Sequence, residues 1–228
     1  MSKALTTAAL DYERATKRRK VESFFDANIG ELEGNEQHID SQGILTSAYG
    51  INLTIPEYKQ WEADAIKAND GKPLPMKAYL DKGRELFMDG ESYYRKVLGD
   101  KGFDSLGAQQ QFTLLSARYN TGDTYKSQAK AMLAYNADPS ADNLRAVIKQ
   151  SRRTERVVVN GVRTNKKNYT VGMDNRAFME LVQGGFVDPM NAEHRQIVSE
   201  ELPKANPALR NPHWDLSKKG KRKTKQRD

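Results

Sequence analysis

Two carboxylates and a hydroxyl close together in the sequence are the residues best suited to chemistry. Glu33 precedes a glycine, Asp40 follows seven positions later, and Thr46 lies six positions beyond Asp40. Breaking a glycosidic bond requires one carboxyl group that protonates the leaving oxygen and a second that activates or steers a water molecule. A small hydroxyl beside them can hold that water. This spacing therefore predicts a site for hydrolysis of a sugar linkage.

The surroundings of the two carboxylates differ in the way that acid–base chemistry needs. Glu33 follows Leu32 at the expected end of a helix, whereas Asp40 lies in a polar stretch that would keep it ionised and hydrated. His38, in the same stretch, is interpreted as an exposed hairpin residue. The sequence leaves open whether the carboxyl groups are about 6.5–9.5 Å apart, as in inverting enzymes, or about 5–5.5 Å apart, as in retaining enzymes.

A helix and a small hairpin are predicted to position these residues. Apolar side chains at helical spacing predict a helix over residues 8–32, and Gly34 stands where a helix commonly ends on a glycine. Short runs of strand-forming residues broken by turns predict a hairpin sheet within 34–53. A following helix is predicted to start at Thr54, with Thr54 as its cap, Pro56 in the first turn and Glu57 completing a capping box.

The rest of the chain is predicted to be mostly helical. Helices are expected over 54–69, over 76–98 with interruptions at Gly83 and Gly90, and over 109–119, 124–135 and 140–151. An Asn-Gly pair between β-branched residues predicts a second hairpin over 157–163. A closing helix is expected over 174–182, with Asp174 as its cap, and no periodicity is evident after Gly185.

Composition narrows the classes of protein that this chain can be. The 228 residues contain no cysteine, which excludes disulfides, zinc–thiolate sites and a thiol nucleophile. Three scattered histidines show no metal-ligand spacing, and no apolar run is long enough to span a bilayer. The first twenty residues become charged before a secretory hydrophobic region could form, so no cleaved signal is expected.

The basic character of the chain is concentrated at its C-terminus. Residues 217–228 contribute +6 of the net charge of +7. Such a basic segment either binds a polyanion or is simply solvated, and both interpretations stay open. The segment concerned runs from Lys218 to Arg227.

In order and spacing, four blocks of the sequence make it resemble the phage-type lysozyme family, the glycoside hydrolases of phage endolysins and virion-associated muralytic proteins. The blocks are Glu33-Gly34, Asp40 to Thr46 with Tyr49 to Asn52, Ser116 to Gly122, and Gly172 to Ala177. The resemblance implies an α+β, lysozyme-like fold with a small β-hairpin lobe and a larger helical lobe. It divides the chain into an N-terminal helical extension (1–28), a catalytic domain (29–186) and a C-terminal extension with the basic tail (187–228).

The resemblance also implies roles for individual residues. Glu33 would be the general acid, Asp40 would position the attacking water, and Thr46 would hydrogen-bond that water. The turn formed by Tyr119 and Asn120 would line the cleft that binds the sugar. The family usually places its two carboxylates nine residues apart, so Glu31 is the alternative acid. The resemblance favours inversion and implies no metal and no organic cofactor.

The function expected from the resemblance is that of a muramidase, which cleaves the bond between N-acetylmuramic acid and N-acetylglucosamine in peptidoglycan. It would wait in the host cytoplasm for release through a holin, or travel in the virion, and act on the cell wall in the periplasm. The alternative is a non-catalytic lysozyme-like virion or tail protein that binds glycan or a partner protein. A third hypothesis, binding of nucleic acid, depends on the basic tail alone.

Overall fold

A computed structural model describes residues 3–34, 36–39, 44–121, 125–159 and 162–205. Within them the protein is mostly helical with two small antiparallel sheets, which agrees with the predicted α+β class. No described helix is long and apolar enough to cross a membrane. The basic tail lies outside the described residues.

The first helix, α1, spans Lys3–Glu33 and carries one buried face. Val21, Phe25 and Ile29 repeat every four residues and are almost completely buried, which is the pattern of a helix packed against a core. Gly34 follows with a φ of +79°. The prediction that the helix ends on this glycine is confirmed, since glycine enters the left-handed region without a steric penalty.

The predicted hairpin after α1 is confirmed. Strand β1 (His38–Ile39) pairs antiparallel with β2 (Leu45–Thr46), with His38 opposite Thr46. On its other side, Thr46 forms an isolated bridge with Asn52. A short 3₁₀ turn, Ala48–Gly50, connects the two.

Helix α2 spans Pro56–Ala68, and its predicted start is right in one respect and wrong in another. Pro56 occupies the first helical position, as expected. The capping residue is Ile55, which makes no side-chain cap, so the predicted capping box is wrong. The hydroxyl of Thr54 donates instead to Oδ1 of Asn52 over 2.5 Å, because a short polar side chain also finds acceptors in the preceding loop.

The remaining helices and strands follow in a regular order. They are α3 (Met76–Met88), α4 (Gly90–Ser105), α5 (Ala108–Thr121), α6 (Lys126–Ala137), α7 (Ala141–Ser151), β3 (Glu155–Val159), β4 (Val162–Asn168), α8 (Val171–Gln183) and α9 (Ala192–Glu201). The predicted interruption at Gly83 is wrong, because this glycine is buried inside α3. The break falls beside Gly90, and α4 has a further kink at Gly99, with a φ of +70°.

Two further predictions near the C-terminus need correction. Thr170 caps α8 by accepting a hydrogen bond from the N–H of Met173. The predicted cap, Asp174, lies in the first turn of α8 instead, fully buried and paired with Arg152. Helix α9 was not predicted, and its capping residue is Asn191, which accepts from two backbone N–H groups.

A single hydrophobic cluster connects the helices on both sides of the predicted domain boundaries. It includes Val21 and Phe25 from the predicted N-terminal extension, and Ile197, Val198 and Leu202 from the predicted C-terminal one. Helix α1 passes residue 28 without interruption. Residues of both predicted extensions are therefore packed in the same core as residues of the predicted catalytic domain.

Candidate functional site

The structure describes some of the predicted catalytic residues completely, some by their backbone alone, and one not at all. Glu31 and Glu33 lie in the last turn of α1, and only their backbone is described. Asp40 lies outside the described residues. Thr46 is fully described. The separation of the carboxyl groups therefore stays a prediction, and the described geometry concerns how the helix end and the hairpin meet.

A backbone hydrogen bond joins the end of α1 to the segment that follows β2. The N–H of Tyr49 donates to the carbonyl of Gly34 over 2.9 Å. Gly34 is the neighbour of Glu33, and Tyr49 is three residues beyond Thr46. The structure therefore brings the backbone at the end of α1 close to the segment that follows Thr46.

Thr46 lies between His38, its partner in the hairpin, and Asn52, with which it forms an isolated bridge. Its side chain is buried, and its hydroxyl donates to the carbonyl of Ile44 over 3.3 Å. Because the hydroxyl is the donor in this hydrogen bond, its oxygen can still accept one from a further partner. His38 is exposed, with Nδ1 lying 3.0 Å from the carbonyl of Glu36, as expected for a hairpin surface histidine.

The structure gives Tyr119 a partner within the protein. Its hydroxyl donates to the carbonyl of Tyr49 over 2.7 Å, and its ring meets Phe25 and Phe87 at centroid distances of 6.0 and 5.8 Å. Asn120, the next residue of α5, is half-buried. The predicted sugar contacts of Tyr119 and Asn120 stay predictions, whereas the link to the hairpin is a described contact that the sequence did not indicate.

A buried ionic network lies beneath the C-terminal half of α5. Glu180 of α8 and Arg153 are almost completely buried and form a salt bridge. Oε1 of Glu180 also accepts from the Ser116 hydroxyl over 2.7 Å and from Nε of Arg176 over 3.1 Å. Burial raises the pKa of Glu180, but the charges of Arg153 and Arg176 outweigh it and hold the pKa below its ordinary value.

Two further hydrogen bonds join α8 to α5 and to α1, and with this network they hold α8 in place. Thr113 on α5 donates to the carbonyl of Glu180 over 3.0 Å, and Nε2 of Gln183 donates to Oδ1 of Asn28 over 3.2 Å. Sequence reasoning missed Arg153, because two adjacent arginines are usually solvated. No local pattern identifies the one that is buried.

A surface groove lies between α1 and the start of α5. Its volume is about 480 Å³, and it is lined by Lys20, Phe24, Ala108 and Gly184, among others. Thr46, Tyr119 and Asn120, the predicted site residues whose side chains are described, do not line this groove. Among the described residues, no group of three or more His, Cys, Asp and Glu side chains could hold a metal ion.

Comparison of the chain with protein-family models, with curated proteins and with solved structures gives no match. The functional interpretation therefore depends on the residues of this chain and on their arrangement.

Proposed function

We propose that this protein is a peptidoglycan hydrolase, a muramidase that cleaves the bond between N-acetylmuramic acid and N-acetylglucosamine. The observation that carries the proposal is the hydrogen bond between Tyr49 and Gly34, because it places the helix end bearing Glu33 beside the hairpin bearing Thr46. Acid–base catalysis requires its groups to be held in position, and this hydrogen bond connects the two backbone segments that carry them.

In the proposed mechanism, Glu33 protonates the glycosidic oxygen as the bond to the sugar breaks. Asp40 orients a water molecule, which Thr46 also holds through its hydroxyl. The water attacks the anomeric carbon and passes a proton to the Asp40 carboxylate, which acts as the general base. General-acid catalysis needs a partly apolar setting for the acid, and Ile29 of α1 and Ala48 and Ile51 of the segment after β2 are buried. No metal or organic cofactor enters these steps.

The arrangement of the fold is compatible with a lysozyme-like cleft. In the proposal, the hairpin and α2 form the small lobe. Helix α2 has no fully buried residue, and the main core is built by the other helices. In the proposal, glycan lies between this small lobe and the helical lobe. The enzyme acts on the wall after release from the host cytoplasm through a holin, or from the virion during wall penetration.

Loss of turbidity of permeabilised Gram-negative cells tests the proposal with three variants. We expect Glu33→Gln to reduce the rate by about 10²–10⁴-fold, the usual contribution of a general acid, and Asp40→Asn to reduce it strongly. Glu31→Gln is the matched control on the same helix turn, and it should remain active. The reverse result for the two glutamates would transfer the role of the acid to position 31, and an inactive wild type would refute the enzymatic function.

The seven-residue spacing between Glu33 and Asp40 favours one alternative, a non-catalytic lysozyme-like virion or tail protein. Such a protein would co-sediment with purified peptidoglycan, or with a virion partner, without releasing soluble fragments. Wild type and Glu33→Gln would then behave alike in both measurements. Binding of a polyanion by the tail is a separate proposal, which predicts that deletion of residues 217–228 abolishes retention on DNA at low salt.

A further inference from the structure

Tyr49 is held by hydrogen bonds on both sides of its backbone. Its N–H donates to the carbonyl of Gly34 over 2.9 Å, and its own carbonyl accepts from the Tyr119 hydroxyl over 2.7 Å. The φ of Tyr49 is +62°, in the left-handed region that residues other than glycine rarely adopt. Such a conformation persists only where the surrounding contacts maintain it, and these two hydrogen bonds are contacts of that kind.

Two glycines lie beside the Tyr49 side chain. A Cβ at Gly83 of α3 would lie 3.5 Å from the Cβ of Tyr49, and a Cβ at Gly30 of α1 would lie 3.6 Å from its ring. The same Cβ at Gly83 would lie only 3.3 Å from the hydroxyl oxygen of Tyr119. Tyr49 therefore contacts α1, α3 and α5. The absence of a side chain at Gly83 leaves room for the Tyr119 hydroxyl, which donates to the carbonyl of Tyr49.

We propose that Tyr119 is a positioning residue, which acts through the backbone of Tyr49 to fix the hairpin against the end of α1. This inference rests on the proposed function, since the groups it positions are Glu33 and Thr46. Without the hydroxyl, Tyr49 loses one of the contacts that hold its strained backbone, and its hydrogen bond to Gly34 weakens. A displacement of about 1 Å between catalytic groups lowers a rate by about 10²-fold.

The variant Tyr119→Phe removes the hydroxyl and keeps the ring contacts with Phe25 and Phe87. On purified peptidoglycan we expect kcat to fall by about 10- to 100-fold, with KM changed by less than about twofold. In the absence of substrate, exchange of the Tyr49 amide hydrogen should accelerate by about 10-fold or more, because the local opening becomes easier. The matched control is Tyr93→Phe, whose hydroxyl is also buried but has no hydrogen-bond partner among the described residues.

The results of these measurements distinguish failure of the positioning role of Tyr119 from failure of the proposed function. A raised KM with an unchanged kcat would show that the hydroxyl binds sugar, and would overturn the positioning role. Equal effects of Tyr119→Phe and Tyr93→Phe, or unchanged exchange at Tyr49, would also overturn it. If the wild type lacks activity, the proposed function fails, and the exchange measurement still decides whether Tyr119 holds the hairpin.

A second variant keeps the inference testable if Tyr119→Phe does not fold. Gly83→Ala places a methyl group 3.3 Å from the Tyr119 hydroxyl oxygen without removing it, and 3.3 Å from the ring of Phe25. We expect faster exchange at the Tyr49 amide and a lower kcat, in the same direction as for Tyr119→Phe. A Gly83→Ala protein with wild-type exchange and wild-type kcat would contradict the proposal.

Discussion

Replacing Glu180 with Gln keeps the shape of the side chain and removes the negative charge that faces Arg153 in the core. The side chains of Arg153 and Glu180 are 0% and 1% exposed. Leaving one member of a buried ion pair without its partner costs about 3–5 kcal/mol. Ser116 can still donate to the amide oxygen of Gln, so the lower part of this range, about 3 kcal/mol, is expected.

This loss is large compared with the stability of a typical domain, about 5–15 kcal/mol. For a chain of this size, about 1 kcal/mol corresponds to about 2–4 °C in melting temperature, so a decrease of about 6–12 °C is expected. Thermal and urea unfolding followed by circular dichroism at pH 7 measures both quantities. Glu200→Gln is the matched control, because Glu200 pairs with Arg145 on the surface, where loss of an ion pair has little effect.

The pH dependence provides a second measurement on the same variant. The pKa of Glu180 in the folded protein lies below its ordinary value of 4.5, so the stabilisation is complete above about pH 4.5 and is lost as the pH falls through the folded pKa. The difference in unfolding free energy between wild type and Glu180→Gln should therefore shrink below about pH 4.5. A melting temperature equal to that of Glu200→Gln, or a difference that does not change at low pH, would refute the reasoning.

Two further predictions concern the aromatic residues. Phe25→Ala should lower the unfolding free energy by about 3–5 kcal/mol in urea denaturation, because Phe25 is fully buried and its ring lies 4.8 Å from that of Phe87. The control is Tyr12→Ala, since Tyr12 is 71% exposed. Equal losses of unfolding free energy in the two variants would contradict the described core. Burial and the hydrogen bond to Glu62 raise the pKa of Tyr79 to about 12. Spectrophotometric titration of Glu62→Gln should show this pKa lowered only part of the way toward 10, because burial remains, and an unchanged value would contradict the hydrogen bond.

The sequence predicted the elements whose signals are local. The end of α1 at Gly34 and the buried face of α1 follow from a glycine preference and from helical spacing. Helix α9 was missed because Ile197 and Val198 are neighbours in a charged segment, and two adjacent apolar residues do not reveal a period. The sequence predicts Asp174 as a cap because aspartate is a common capping residue, whereas its burial involves the ion pair with Arg152, 22 positions away.

The candidate site was predictable only in its local parts. The position of Glu33 at a helix end and of Thr46 in a short strand could be predicted from residue types. The left-handed backbone of Tyr49 could not, because tyrosine has no preference for that region. Its partner Tyr119 lies 70 positions away, and a hydrogen bond of that kind is a consequence of the packing of α1, α3 and α5.

The most direct test of the central claim is mass spectrometry of the soluble fragments that the protein releases from purified peptidoglycan. The proposed function predicts fragments that end in a reducing N-acetylmuramic acid, released by the wild type and by Glu31→Gln but not by Glu33→Gln. Fragments that end in N-acetylglucosamine, or equal release by Glu33→Gln and the wild type, would contradict it.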